Sequence, residues 1–167
     1  MNISKNFINK IFSKETISSL VVILIVFILD RALKIKIINQ QENSNGSIFI
    51  NEYLNLDLVW NTGIGFGLLS QNANIYYHLT SLLIFFVIIF LIYLLLKAIL
   101  FEKILYSLIL GGAAGNLYDR LIYFAVPDFI DFHIGDFHWF TFNIADIFIT
   151  LGIILILIKE TKKKQNE

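Results

Sequence analysis

The sequence predicts an α-helical integral membrane protein with four transmembrane helices and a small extracytoplasmic β-sheet on the membrane surface. Three observations predict it. Hydrophobic residues fill 57% of 167 positions and the mean hydropathy is +0.73, where a soluble domain has roughly 45–50% apolar residues. Four apolar stretches of spanning length can be laid along the chain. The longest polar interval, 39–75, holds a period-two run in which Leu54, Leu56, Leu58 and Trp60 alternate with Asn55, Asp57, Val59 and Asn61, the pattern of a half-buried strand.

These features fit a single four-helix domain over 16–158, with a cytoplasmic N-terminal tail at 1–15 and a basic cytoplasmic tail at 159–167. Lysine and arginine number 13, as do aspartate and glutamate, so the balanced charge gives a nucleic-acid partner no electrostatic support. Cysteine is absent. That excludes disulfides, thiolate metal sites, a thiol nucleophile and lipid modification of this chain itself.

The first helix is expected over about 16–38. The run Leu20–Leu29 follows Lys5, Lys10 and Lys14 like a secretory signal, but no small-x-small cleavage site follows it and the apolar pattern continues through Ala32, Leu33, Ile35 and Ile38. Asp30 and Lys34 lie four apart and pair on one helix face, either as an interfacial ion pair or as a substrate-facing one. In the polar interval, NTGIGFG places Gly63, Gly65 and Gly67 where tight turns are possible. No GK[ST] follows, so a phosphate loop is disfavoured.

The second helix, 76–97, runs from Tyr76 and Tyr77 to Lys97 and is the clearest span; His78 near its start is assigned no role. The short link KAILFEK makes the second and third helices an antiparallel hairpin. In the third helix, about 103–125, Gly111 and Gly115 permit close helix approach. Asn116, Asp119 and Arg120 follow on one face, with Arg120 placed to hold Asp119 ionised as a structural pair.

The outer loop, 126–140, contains the repeat Asp131-Phe-His133 and Asp136-Phe-His138. Alternation in an amphipathic surface loop explains these residues better than a metal site, and no cofactor is expected. The fourth helix, about 141–158, opens with Asn143 and Asp146. Lys5, Lys10, Lys14, Lys97, Lys103, Lys159, Lys162, Lys163 and Lys164 fall on one side of four spans, which makes that side cytoplasmic and puts both termini there.

An ionised side chain in hydrocarbon costs about 2.5–3.5 kcal/mol on insertion scales, so carboxylates in such company are functional candidates. The third helix runs outward towards Asp128, while the fourth runs inward past Asp146, bringing both carboxyls to similar depth. Two carboxyls in a poorly hydrated cleft share one proton, which suits water-mediated amide hydrolysis. Spacing alone does not choose Asp128 over Asp119 or Asp131.

Taken together, GGAAGNLYDR at 111–120, VPDFIDF at 126–132 and FNIAD at 142–146 resemble the lipoprotein signal peptidase (signal peptidase II) family. The likeness extends to Asp30 and Lys34 and to WNTGIGFGLL at 60–69. It implies a bacterial inner-membrane aspartyl endopeptidase that cuts diacylglyceryl-modified prolipoproteins just before the lipidated cysteine, with Asp128 and Asp146 as its catalytic pair. Asn116, Arg120 and Asn143 match residues lining the site, Asn61 and Gly63 the outer-loop motif, and Asp30 and Lys34 the helix-one pair, with Asp119 among the supporting residues. Leu33, Ile64, Gly65 and Pro127 depart from the family's usual residues. The partners implied are lipid-modified prolipoproteins and membrane lipid, with the enzyme a monomer and its site near the outer face, where a substrate held by its own lipid chains is met.

Two readings of other classes compete: a small proton- or ion-coupled transporter, disfavoured because no inverted repeats or paired broken helices are visible, and a non-catalytic assembly factor. A serine–lysine peptidase using Lys34 with Ser70 or Ser81 is weaker still.

Overall fold

The computed structural model describes residues 13–43, 46–63 and 75–165. In chain order these form α1 (Lys14–Asn43), β1 (Ile48–Asn51), β2 (Leu54–Asn61), α2 (Ile75–Lys97), α3 (Leu100–Ile122), β3 (Val126–Ile134), β4 (Phe137–Phe142) and α4 (Ile144–Gln165). The fold is mostly helical with one small antiparallel sheet.

Helix α3 sits at the centre, packed against α1, α2 and α4. Small residues permit that position. A Cβ on Gly111 would lie 2.7 Å from Val26 Cβ of α1, one on Gly112 would lie 2.6 Å from the Ala145 carbonyl of α4, and one on Gly152 would lie 2.6 Å from Ile109 of α3. Backbones separated by hydrogen atoms alone gain the dispersion contacts that hold helices together in lipid, where no hydrophobic force does so.

The outer helices show the complementary pattern. Leu82, Leu83, Phe86 and Phe90 of α2 and Leu20, Leu24 and Ile28 of α1 are exposed, an apolar surface of the kind that meets a membrane or another protein. Among the described residues, two helices are long and apolar enough to cross a membrane by length and composition, Lys14–Gln41 and Tyr77–Lys97.

One end of the bundle is basic. Lys103 Nζ donates to Thr16 Oγ1 at 2.9 Å and lies 3.6 Å from Glu15, while Lys159 pairs with Glu102. These bonds bring together the starts of α1 and α3 and the later part of α4. The sheet lies at the opposite end, in the order β1-β2-β3-β4 with every pair antiparallel. Phe129, Ile130 and Ile37 form a buried cluster with Leu54, Leu56, Leu58 and Phe142 packed on it. Gln41 of α1 fixes the sheet further, its side chain donating to the Leu56 carbonyl at 3.3 Å and accepting from the Leu58 N–H at 3.0 Å.

Several expectations are corrected. The outer loop is the β3–β4 hairpin and belongs to the same sheet as the strands of the polar interval: VPDFIDFHI and FHWFTF, rich in the aromatic and β-branched residues that favour strands, pair across a turn at Gly135, where φ is +59°. The third helix ends at Ile122 rather than about 125, so Asp128 stands on β3. The first helix continues to Asn43 and the fourth begins at Ile144. Asp119 pairs with Lys34 and Arg31 of α1, not with Arg120. Ile64, Gly65, Gly67 and Ser70 lie outside the described residues.

Candidate active site

The site is assembled where the start of α4 meets β3. Asn143 precedes α4, and its Oδ1 accepts the Asp146 N–H at 3.1 Å while its own N–H donates to Asp146 Oδ2 at 3.1 Å. This reciprocal pair is a capping box. It satisfies two backbone donors that a helix start otherwise leaves unpaired, and it fixes the Asp146 side chain in the process.

With its oxygen committed to the cap, the Asn143 amide nitrogen is directed away from the helix. It donates to Asp128 Oδ1 at 2.6 Å and to Asn116 Oδ1 at 3.2 Å. Asn143 thus touches both aspartates. The second oxygen of each has its own donor: Asn61 Nδ2 reaches Asp128 Oδ2 at 2.8 Å, and Asn116 Nδ2 reaches Asp146 Oδ1 at 2.9 Å. Asn61 is oriented in turn by the Gly63 N–H, which donates to its Oδ1 at 2.8 Å.

Three elements therefore supply the frame of the aspartate pair. β2 brings Asn61, α3 brings Asn116 and the end of β4 delivers Asn143. Both carboxyls line one cleft of about 430 Å³, together with Asn61, Asn116 and Arg120, and apolar side chains such as Leu83, Val87 and Ile149 form its other walls. Burial raises the Asp128 pKa to about 7, and the neighbouring Asp146 charge pushes the same way, against the lowering effect of the Asn61 and Asn143 bonds. An aspartate poised near neutrality in a largely apolar cleft is equipped for proton transfer.

Behind Asn116 lies a buried charge cluster. Lys34 Nζ donates to Asp30 at 2.8 Å, Asp119 at 2.7 Å and Asn116 Oδ1 at 2.8 Å. Asp30, Lys34 and Asp119 are all 0% exposed, so the interfacial, snorkelling alternative for the helix-one pair does not describe it. Asp30 also accepts the Ala145 N–H at 3.2 Å, reaching the first turn of α4. Gly115 makes room for it, since a Cβ there would lie 2.6 Å from Asp30 Oδ2.

Arg120 faces elsewhere. Its guanidinium donates to the Gly63 carbonyl and lies over the Tyr77 ring, 5.4 Å from the centroid, while Tyr77 Oη donates to the Arg120 carbonyl at 2.9 Å. Its Nε and Nη1 have no hydrogen-bond partner among the described residues. Ser81 donates to the Tyr77 carbonyl at 3.0 Å, so it does not activate against Lys34.

Two participants escaped the sequence reading. Arg31 binds Asp119 at 2.5 Å and lies 3.6 Å from Asp30, balancing the charge of the cluster; its adjacency to Asp30 in an apolar run was the available signal. Tyr77 reads as an interfacial anchor from its position, yet it is buried beneath Arg120.

A family model described as "Signal peptidase (SPase) II" matches residues 22–162. The chain is 46% identical over 163 residues to a lipoprotein signal peptidase of Pelagibacter ubique (strain HTCC1062), covering 95% of this chain and 98% of that one. It is 40% identical over 153 residues to a lipoprotein signal peptidase of Anaplasma phagocytophilum (strain HZ), covering 90% and 96%. A solved structure titled as a bacterial membrane enzyme superposes with a TM-score of 0.72 at 30% identity, covering 90% of this chain and 91% of the other. A second, similarly titled, gives 0.69 at 32% identity, covering 85% and 91%.

Proposed function

The chain belongs to the signal peptidase II family, and from that premise we propose that Asp128 and Asp146 activate a water molecule to cut diacylglyceryl-modified prolipoproteins just before the lipidated cysteine. The protein is an aspartic endopeptidase that removes signal peptides from lipoprotein precursors. One observation carries the assignment of its catalytic pair: a single residue, Asn143, binds both carboxyls, which face a common cleft.

In this reading the pair holds one proton, because two buried like charges do not both ionise cheaply. The ionised carboxylate takes a proton from water as its oxygen attacks the scissile carbonyl carbon. The protonated partner donates to the carbonyl oxygen, giving a neutral gem-diol. Collapse of that intermediate breaks the C–N bond, and a proton delivered by the dyad leaves with the new amine. Burial and the neighbouring carboxyl push Asp128 towards its protonated form, which supports one proton held between the two groups, and the titration belongs to the pair.

The remaining assignments are proposals on the same footing. Asn61, Asn116 and Asn143 hold the carboxyls; Lys34, Asp30 and Asp119 hold Asn116; Arg120 and Gly63 shape the outer wall where the substrate backbone passes. All four helices cross the membrane in a single domain over 16–158, with the lysine-rich end and both termini cytoplasmic and the sheet on the outer face. Helices α3 and α4 cross despite Glu102, Lys103, Asp119, Arg120 and the terminal lysines, because Asp119 is paired inside the bundle, Arg120 is held by the Gly63 carbonyl and the Tyr77 ring, and Glu102 and the lysines sit at the basic end. The enzyme acts as a monomer in the inner membrane, where lipid delivers the acylated precursor laterally to the cleft.

The direct test uses purified full-length protein in detergent with a lipidated precursor, followed by mass spectrometry of the products. A new amino terminus at the lipidated cysteine is the expected result; cleavage elsewhere, or none, contradicts the proposal.

A further inference from the structure

Away from the cleft, the β3–β4 hairpin gathers two of the chain's three histidines around one carboxylate. His138 Nδ1 lies 2.8 Å and 3.0 Å from the two oxygens of Asp131, and His133 Nδ1 lies 3.5 Å from Oδ2. The backbone dictates this meeting. Asp131 and His133 are two apart on β3 and so project to the same side, while His133 and His138 are paired in register across the hairpin. The rings stack with centroids 5.0 Å apart and planes 23° from parallel. Asp136, in the turn, is not part of the group.

A surface ion pair accounts for Asp131 and His138. It does not account for His133, which is 8% exposed and whose Nδ1 has no hydrogen-bond partner among the described residues. Buried imidazole nitrogens are ordinarily satisfied, and this one is held within reach of the same carboxylate oxygen.

We propose that Asp131, His133 and His138 bind one divalent transition-metal ion, of which zinc is the best match. The three ligand atoms all lie within 4.8 Å of one another. Tetrahedral zinc with bonds of about 2.0–2.1 Å needs its donors about 3.3 Å apart, and the observed 2.8 Å and 3.5 Å separations bracket that value. Two imidazoles and a carboxylate suit zinc, whereas magnesium and calcium prefer oxygen alone. The His138 side chain is 57% exposed, which gives the ion a route in and leaves a fourth position to water. On entry the metal takes the place of the Nδ1 proton that His138 directs at Asp131; in a neutral ring that proton moves to Nε2, in a protonated ring it is released to solvent, and both bound imidazoles then carry one proton, on Nε2. The bound ion staples β3 to β4 near the turn. Asp131 is three residues from Asp128 on the same strand, an odd spacing that sends the two side chains to opposite faces, so the site is separate from the aspartate pair.

The test is zinc binding by full-length protein in detergent, carrying no polyhistidine tag, stripped with chelator and titrated calorimetrically. Wild-type protein is expected to take up one zinc per chain. The His133→Ala and His138→Ala variants should each lose more than about 10–100-fold in affinity, the loss typical of even an outer-shell change, while His78→Ala binds as wild type. Zinc should also raise the unfolding temperature of the wild type but not that of His138→Ala, a change at an exposed position. Absence of stoichiometric binding to the wild type, or undiminished binding by the His133→Ala/His138→Ala double variant, overturns the proposal.

Discussion

Lys34 Nζ donates to Asn116 Oδ1 at 2.8 Å, and that bond decides which end of the Asn116 amide meets Asp146. With its oxygen taken by Lys34 and Asn143, Asn116 can offer Asp146 only its nitrogen, which it does at 2.9 Å. The charge cluster thus acts on the aspartate pair at one remove: Lys34 fixes Asn116, and Asn116 fixes a carboxylate.

Replacing Lys34 tests this link. Asp30 and Asp119 against Arg31 and Lys34 make a neutral buried set, and Lys34→Met leaves one negative charge unpaired. Breaking a buried pair in this way costs about 3–5 kcal/mol. The Asp30→Asn/Lys34→Met double variant restores neutrality and should recover part of that loss. Thermal unfolding in detergent reads the stability terms of this cycle. Because Asn116 loses its shorter bond, to Lys34, in both variants and keeps only the longer one from Asn143, kcat should remain low in the double variant even where stability returns; full recovery of kcat would mean that Lys34 serves the fold alone.

Asp128→Asn and Asp146→Asn should each abolish prolipoprotein processing on a gel-shift assay while the protein still folds. An asparagine keeps the size and one acceptor oxygen of the residue it replaces, so the bonds to Asn61, Asn143 and Asn116 can be partly retained. Neither amide can move a proton, and loss of general acid–base assistance alone removes about 10²–10⁴-fold in rate. Asp131→Asn, on the opposite face of β3, should leave most activity in place.

The parts of the site that were legible in the sequence are those set by local spacing. Asn143 and Asp146 stand three apart at a helix start, so their capping relationship follows from chain geometry, and the glycines of α3 announce a close helix crossing. The β3–β4 hairpin was not legible. Aromatic residues fill both faces of VPDFIDFHI, which blurs period two, and β3 is buried along most of its length. Nor did sequence show that Asp119 turns to α1 while Arg120, its neighbour, turns to α2. One helical step rotates a side chain by about 100°, and the partners lie more than 40 residues away along the chain. Pro127 is explained by register: it pairs with Trp60 of β2, whereas pairing with β4 begins at Ile130, so its missing N–H falls where the second neighbour is absent.

The pH dependence follows from Asp128, whose pKa rises from 3.8 to about 7 through burial and the nearby Asp146. A carboxyl raised in the fold holds its proton more tightly there than in the unfolded chain. Its contribution to stability is therefore complete below about pH 4 and is lost as pH rises towards 7. Measured against Asp128→Asn, the wild type should lose unfolding free energy over that interval. Cleavage should fall on the alkaline side as the shared proton leaves the pair. Removing the neighbouring charge with Asp146→Asn should lower the Asp128 pKa, visible as a shift in the carboxyl stretching band with pH; an unmoved band would separate the two groups electrostatically.

Gly112 tests whether the α3–α4 crossing sets catalytic geometry. A Cβ at this position would lie 2.6 Å from the Ala145 carbonyl oxygen and 2.9 Å from Ile149 Cγ1. The first of these is backbone immediately before Asp146, so it cannot be relieved by a rotamer change, and α4 must move away from α3. That movement stretches the bond from Asn116 to Asp146, which spans the two helices, while Asn61, Asn143 and Asp128 stay tied through the sheet. Gly112→Ala should therefore lower kcat more than it alters KM, since a displacement of about 1 Å can cost 10²-fold in rate. Gly46→Ala is the matched control, because a Cβ there meets nothing within 4 Å, and it should leave both constants and the unfolding temperature unchanged. Equal kinetics for the two variants would show that the α4 position is not what holds the aspartates in register.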